Sequence, residues 1–280
     1  MTEQPREAQP FGSLTLVLPA FNEENRLGPA LDELFGYLRR RGGPPREGAP
    51  ASANLPDRIH VLVVDDGSSD GTAALVRQRP EAAAEVREAG SSGPWRGAWL
   101  DLISVPHGGK GAAVKAGMLA ADGDVIVFAD ADMATPPDQL PGLVGALGSA
   151  DVALGSRIQA DGSDMRRTQP GFRRLLGKVF HALAAIWVTG PVRDTQCGFK
   201  GFSRAAARDL FEQQVITSIV FDVELIYLAR RRGYRIAVVP IQWFDRRGSR
   251  MQTRPRLAAR VAWDLFRIPF LHREIRRRSA

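Results

Sequence analysis

Short apolar runs alternate with longer stretches of helical periodicity through the first half of the chain. Residues 14–18, 59–64, 100–105, 125–129 and 152–154 are rich in Val, Leu and Ile and read as strands. Between them, 23–40, 70–79, 111–121 and 138–147 repeat their apolar positions at helical spacing. Such alternation is how crossover helices on a parallel sheet read, so the expected fold class is α/β, an open, doubly wound, mostly parallel sheet. Two stretches break the rhythm: 42–57 is rich in Pro, Gly and Ala and 89–97 in Gly and Ser, and both are expected to be surface loops.

Beyond Gly155 the pattern changes to a polar loop at 158–169, an amphipathic segment at 172–188 and a mixed region up to Phe244. In 255–278, Leu257, Val261, Leu265, Ile268 and Leu271 recur near helical spacing among many Arg residues. That pattern resembles a helix lying at a membrane interface, and a terminal helix docked on its own domain is the competing reading. The expected organisation is a flexible tail at 1–10, one domain at 11–250 that divides near 157, and a basic amphipathic helix at 251–280.

An apolar fraction of 44% and a charged fraction of 25% describe a globular chain rather than a disordered one. The single Cys197 excludes an internal disulfide, and no charged-then-apolar secretion signal opens the sequence, so a cytoplasmic location is expected. The uncharged stretch at 179–192 ends in Gly190-Pro191 and is too short to span a bilayer. A net charge of +7, mainly from Arg at 157–178 and 246–278, favours an anionic partner. Nucleic acid is the weakest such partner, because no helix-turn-helix, zinc-ligand spacing or aromatic-basic platform accompanies the charge.

In an open parallel sheet ligands collect beyond the C-terminal strand ends, which makes the residues after each expected strand the ones to inspect. Asp130-Ala131-Asp132 closes the apolar run at 125–129. Two carboxylates there are costly to hold together without a cation, and Mg2+ or Mn2+ carrying a diphosphate is the simplest one. If the backbone stays extended, Asp130 and Asp132 share a side, and one reaches the metal while the other reaches a ribose or sugar hydroxyl.

After the first strand, Pro19-Ala20-Phe21-Asn22-Glu23-Glu24 sets a carboxylate near a nucleotide or simply caps a helix. After the second, Ser69 and Asp70 read as caps, whereas Asp65 and Asp66 are left to bind a base or ribose. After the third, His107-Gly108-Gly109-Lys110-Gly111 offers close backbone approach and a phosphate-binding Lys, although the spacing is not that of a phosphate loop. After the fifth, Arg157 is followed by Arg166, Arg167, Arg173 and Arg174, which bind phosphate or form a solvated basic face.

Taken together, these motifs resemble family 2 glycosyltransferases, from Leu14 to Arg157 in order. Asp194-Thr195-Gln196-Cys197-Gly198-Phe199-Lys200, Phe221-Asp222-Val223-Glu224, Trp243 and Gly248-Ser249-Arg250 extend the resemblance to the polyprenyl-phosphate branch, most of all to dolichyl-phosphate glucosyltransferases, with dolichol-phosphate mannose synthases as cousins. The resemblance implies a nucleotide-diphospho-sugar transferase (GT-A-like) fold with a donor half at 11–157 and an acceptor half at 158–250. It also implies inverting transfer of a sugar, with glucose from UDP-glucose as the expected donor, to a polyprenyl phosphate at the inner membrane face. GDP-mannose, a soluble acceptor, or a non-catalytic nucleotide-binding adaptor are the alternatives.

By position, Pro19, Phe21, Glu23, Asp65, Asp66, Lys110, Asp130, Arg157 and Arg250 would bind the donor, and Asp130 and Asp132 the metal. Arg157, Arg166, Arg167, Gln196 and Lys200 would hold the acceptor phosphate, and Asp132 and Asp194 would be catalytic. For Asp194 the choice lies between orienting the acceptor or accepting its proton and capping the turn before Gly198. One departure stands out: mannose synthases carry a Gln two positions after the second Asp, where this chain has Ala134. The metal shell is then expected to be completed by water and to be firm only with the donor diphosphate in place.

Overall fold

The structure is a computed structural model describing residues 11–40, 55–90, 93, 95–159, 161–165, 188, 192, 194–244, 246 and 255–275. Its frame is a sheet of seven strands: β1 (Ser13–Ala20), β2 (Arg58–Asp65), β3 (Ala98–Ser104), β4 (Val125–Ala129), β5 (Val152–Ser156), β6 (Phe199–Ser203) and β7 (Ile236–Pro240). The strand order is β3-β2-β1-β4-β6-β5-β7, and all pairs are parallel except those that β6 makes with β4 and β5. Leu14 to Leu18 lie opposite Ile59 to Val63 on one side, and Leu14 to Val17 lie opposite Val125 to Phe128 on the other. Five consecutive residues of β1 are buried, as are all five of β4. Helices cover both sheet faces, which is why these strands read as unbroken apolar runs.

One face packs Leu27, Leu31, Leu34, Phe35 and Leu38 of α1 (Leu27–Arg40) and Leu143 of α5 (Leu140–Ala146) against Leu16, Leu18 and Val63. Between them in the chain stand two six-residue helices, α2 (Thr72–Arg77) and α3 (Ala84–Ala89). The opposite face packs α4 (Lys110–Ala120), α6 (Arg204–Gln213) and α7 (Phe221–Arg232) on Val17, Leu62, Phe128 and Phe202. Gly117 lets α4 settle on the sheet, because a Cβ there would overlap Val17 and Val64.

Three sequence expectations change. Helix α1 starts at Leu27 rather than at 23, because Glu23 to Arg26 form a turn in which Arg26 and Leu27 both donate to the Glu23 carbonyl at 2.9 Å. The mixed region contains β6, α6, α7 and β7. In β6 a buried Lys200 and Gly201 interrupt the apolar run, so a strand wedged antiparallel between two parallel neighbours carries no clean pattern. Third, the terminal helix is α8 (Pro255–Leu271), which docks Leu265 and Ile268 into the core while leaving Trp263, Phe266, Phe270 and Leu271 exposed. The helix thus has a docked side and a side with exposed aromatic residues.

Asp209 of α6 ties the second layer together. It accepts hydrogen bonds from the Arg232 guanidinium at 2.8 and 3.0 Å and from the Tyr234 hydroxyl at 2.7 Å. Partial burial alone raises its pKa, but the Arg232 and Tyr234 hydrogen bonds prevail and hold it below the ordinary value. A depressed folded pKa contributes stability that is present above the unfolded carboxylate range and lost as pH falls through the folded value. Asp209→Asn should therefore cost about 1–3 kcal/mol near neutral pH. Thermal melts of the two proteins should converge in strong acid.

Candidate active site

Strand order reverses between β1 and β4, and the crevice beyond their carboxyl ends is where an open α/β sheet binds ligands. The turns that follow both strands contain non-glycine residues with left-handed backbone, Asn22 at φ 54° and Met133 at φ 50°. Such conformations are costly and persist where the surroundings impose them, commonly around functional groups.

Met133 closes the acidic turn. Its N–H donates to the Asp130 carbonyl at 3.1 Å, and the Ala134 N–H donates to Asp132 Oδ1 at 3.1 Å. Asp130 is fixed through its own N–H on the Gly198 carbonyl at 3.1 Å, and its Oδ1 meets Lys110 Nζ at 2.5 Å. Arg26, gripped by Glu23 through Nε at 2.6 Å, stands 3.7 Å from Asp132 Oδ2. Burial, followed by the negative charge of Asp130, pushes the Asp132 carboxyl above its ordinary pKa. Burial opposes the charge of Lys110 too, but Asp130 and Asp222 more than offset it and the ammonium stays protonated.

A divalent cation suits this donor set. Asp132 is a partly buried acid crowded by a like charge, and a cation relieves that strain. No cluster of three or more His, Cys, Asp or Glu able to hold a metal occurs among the described residues. A pair of carboxylates falls within the one or two that Mg2+ takes when substrate phosphates and water complete the shell. Gly198 makes room for the pair, since a Cβ at that position would overlap the Asp130 carboxylate.

The acids at the end of β2 brace the neighbouring loops. Asp65 Oδ1 accepts the Ser68 N–H at 3.0 Å, and the Asp66 carboxylate accepts the N–H groups of Gly108 and Gly109 at 2.8 and 3.0 Å. Both side chains are buried. Asp66 therefore holds the loop that launches Lys110, a role that an acid pair read only as a ligand group leaves out. A Gly-Gly step before a helix that lacks its own side-chain cap is the signal that could have revealed it. Phe21, 39% exposed, stacks on His107 with ring centroids 4.2 Å apart, so the loops after β1 and β3 share an aromatic shelf at the crevice. Glu23 faces Arg26, and Pro19 is paired with Val64 near the end of β1.

At the end of β5, Asp194 engages Arg157 three times: at the backbone N–H (2.9 Å), at Nε (2.8 Å) and at Nη2 (2.6 Å). Arg157 also lies over the Trp243 ring, 5.6 Å from its centroid. Burial disfavours the guanidinium, but Asp194 outweighs it and holds the Arg157 pKa above the usual value. Asp194 thus orients an arginine, a holding role beside the catalytic one expected of it. Gln196 stands half-buried on the same turn.

Lys200 lies deeper than its motif suggests. It has no exposed surface, and its ammonium donates to Asp222 Oδ1 at 2.5 Å and to the Cys197 carbonyl at 2.6 Å, beside the Phe128 ring. The insertion of β6 between β4 and β5 places Lys200 in the core, where the ammonium expected to hold the acceptor phosphate is paired with Asp222. Cys197 is buried beneath the crevice, and burial, then the Asp194 charge, pushes its thiol up to about 12. Arg166, Arg167, Arg173, Arg174 and Arg250 lie outside the described residues.

Comparison with known proteins agrees with the fold and the motifs. A family model described as Glycosyl transferase family 2 matches residues 15–211. A dolichyl-phosphate beta-glucosyltransferase of Trichomonas vaginalis is 35% identical over 263 residues, covering 89% of this chain and 71% of the relative. A protein of the same description from Drosophila melanogaster is 36% identical over 255 residues, covering 88% and 71%. Among solved structures, glucosyl-3-phosphoglycerate synthase from Mycobacterium tuberculosis, in complex with Mn2+, UDP-glucose and phosphoglyceric acid, aligns with a TM-score of 0.57 at 20% identity. That alignment covers 91% of this chain and 78% of the synthase and bears on the fold.

Proposed function

We propose, from the premise that the chain belongs to glycosyl transferase family 2, that it transfers glucose from UDP-glucose to the phosphate of a polyprenyl lipid, inverting the anomeric carbon. The observation that carries this reading is the carboxylate pair Asp130 and Asp132 in the crevice where the sheet reverses, with Lys110 on one flank. The relatives named above support glucose and a dolichyl-type phosphate as donor sugar and acceptor. The Mn2+ and UDP-glucose of the mycobacterial synthase support the donor and a divalent cation.

In this account Asp130 and Asp132 would hold Mg2+ or Mn2+, which would supply positive charge for the departing diphosphate. Lys110 adds a second positive charge on the diphosphate side, and the shelf of Phe21 and His107 is flat and apolar enough to receive the base. Asp65 and Asp66 keep the intervening loops in place. Arg157, clamped by Asp194, offers a rigid fork for a phosphate group. The acceptor phosphate is already anionic near neutral pH, so alignment and charge stabilisation do the catalytic work without a strong general base. Transfer of label from UDP-glucose into a lipid product tests the reading.

The membrane enters through α8. Trp263, Phe266 and Phe270 are 60%, 49% and 57% exposed and recur at helical spacing, and the exposed Arg260 and Arg273 lie near the two ends of this ridge. No helix among the described residues is long and apolar enough to cross a bilayer. This side of α8 suits the cytosolic, anionic face of a membrane, where aromatic rings and Arg act together. The protein should float with anionic vesicles, and Trp263→Ser combined with Phe266→Ser should weaken binding at least about tenfold, given roughly 1.5–3 kcal/mol for each fully buried ring. Flotation that fails at low salt would remove the membrane from the account.

A further inference from the structure

The start of α4, which carries Lys110, lacks a side-chain cap and is flanked by Gly109 at φ +91° and by Gly111. Two glycines at an uncapped helix end make a pliable mount for a charged side chain. Asp66 braces the approach through the N–H groups of Gly108 and Gly109, and the first turn itself is braced by another part of the chain, the loop between α6 and α7. Gly111 donates its N–H to the Thr217 carbonyl at 3.0 Å, and its own carbonyl accepts from Gln214 Nε2 at 3.0 Å. Lys115, one turn further along α4, donates to the Gln214 carbonyl at 2.6 Å. A Cβ on Gly111 would lie 2.7 Å from the Thr217 carbonyl oxygen, so loop and helix start are in backbone contact.

That loop is in turn gripped by one carboxylate. Glu224 of α7 has no exposed surface, and its two oxygens accept the N–H groups of Val215 and Ile216, each at 2.9 Å. Oε1 also meets His272 Nε2 at 2.7 Å, just beyond the end of α8, and Ser218 donates to Asp264 of α8 at 2.7 Å. A buried carboxylate is costly unless every oxygen is engaged, and here the engagement runs to the loop that seats Lys110.

We propose that Glu224 is a positioning residue for Lys110: by locking 215–217 it fixes the first turn of α4 and hence the reach of the ammonium to the diphosphate subsite. The inference rests on the reading of Lys110 as a diphosphate ligand. Glu224→Gln keeps the shape but turns an amide donor toward one of the two N–H groups, so the loop shifts and the Lys110 mount loosens.

The test is a double-mutant cycle on UDP binding, measured by calorimetry with Mn2+ present, alongside melting temperature. Glu224→Gln should fold and bind UDP about tenfold more weakly. In a Lys110→Ala background it should cause no further loss, because the group it positions is gone. An equal loss in both backgrounds, or unchanged UDP affinity in folded Glu224→Gln, would overturn the proposal. Unchanged affinity in Lys110→Ala alone would overturn the diphosphate reading of Lys110 and, with it, the role given to Glu224. Should Glu224→Gln not fold, Lys115→Met frees the same loop from the α4 side. It should give a smaller loss that likewise vanishes in the Lys110→Ala background, and a loss that persists there counts against the proposal.

Discussion

Asp132→Asn should leave the protein folded, raise its stability slightly near neutral pH and slow donor turnover about a hundred- to a thousandfold. The stability half follows from the electrostatics. Burial and Asp130 hold the Asp132 carboxyl above its ordinary pKa. Between the unfolded and folded pKa values the native state binds the extra proton, so stability falls as pH rises through that window. Asn removes the charge and keeps an oxygen for the Ala134 N–H. The activity half follows from the chemistry, because a neutral amide is a poor ligand for a hard cation and leaves the departing diphosphate less compensated. Melting curves and UDP-glucose turnover measured on the same preparations check both halves, and unimpaired turnover would contradict the mechanism.

Gly198→Ala should be comparably damaging to turnover although it adds only a methyl group. A Cβ at 198 would overlap both oxygens of Asp130, and the main chain cannot retreat, because the Gly198 carbonyl is the acceptor that fixes the Asp130 N–H. The carboxylate must swing out of the crevice and give up Lys110. A misplacement of about 1 Å in a catalytic group can cost on the order of a hundredfold. Mn2+ affinity in the presence of UDP should fall in parallel, while the melting temperature changes little, since Gly198 lies at the rim of the core. Normal Mn2+ binding by this variant would show that the pair tolerates displacement.

These two variants mark where sequence reading succeeds and where it stops. The α/β class and β1 to β5 were legible because parallel strands covered on both faces carry unbroken apolar runs. The Asp130-Ala131-Asp132 turn was legible because two acids at the end of such a run stand out. Strand β6 was not, because its central Lys200 is solvated by Asp222 and the Cys197 carbonyl, partners brought close only by folding. Asp66 and Asp194 were read as ligand-facing or catalytic groups, and the fold adds what the sequence did not show: the first braces a loop and the second holds Arg157. A carboxylate that braces a loop looks in sequence like any other acid, because the partners that reveal the bracing lie 37 to 43 positions away.

Gly198 was noticed as part of a motif, but its reason, space for Asp130, exists only once β6 lies beside β4. The terminal helix shows a different limit. Its periodicity fitted a docked helix and an interfacial helix equally well, and the fold assigns Leu265 and Ile268 to the core while the aromatic ridge stays outside.

The central claim, glucosyl transfer to a lipid phosphate, is tested most directly by incubating the protein with labelled UDP-glucose, Mn2+ and a polyprenyl phosphate and partitioning the products. The account predicts label in the organic phase that depends on both the cation and the lipid phosphate, and that largely disappears with Asp132→Asn. Label that stays in the aqueous phase, with transfer to soluble phosphorylated acceptors instead, would contradict it.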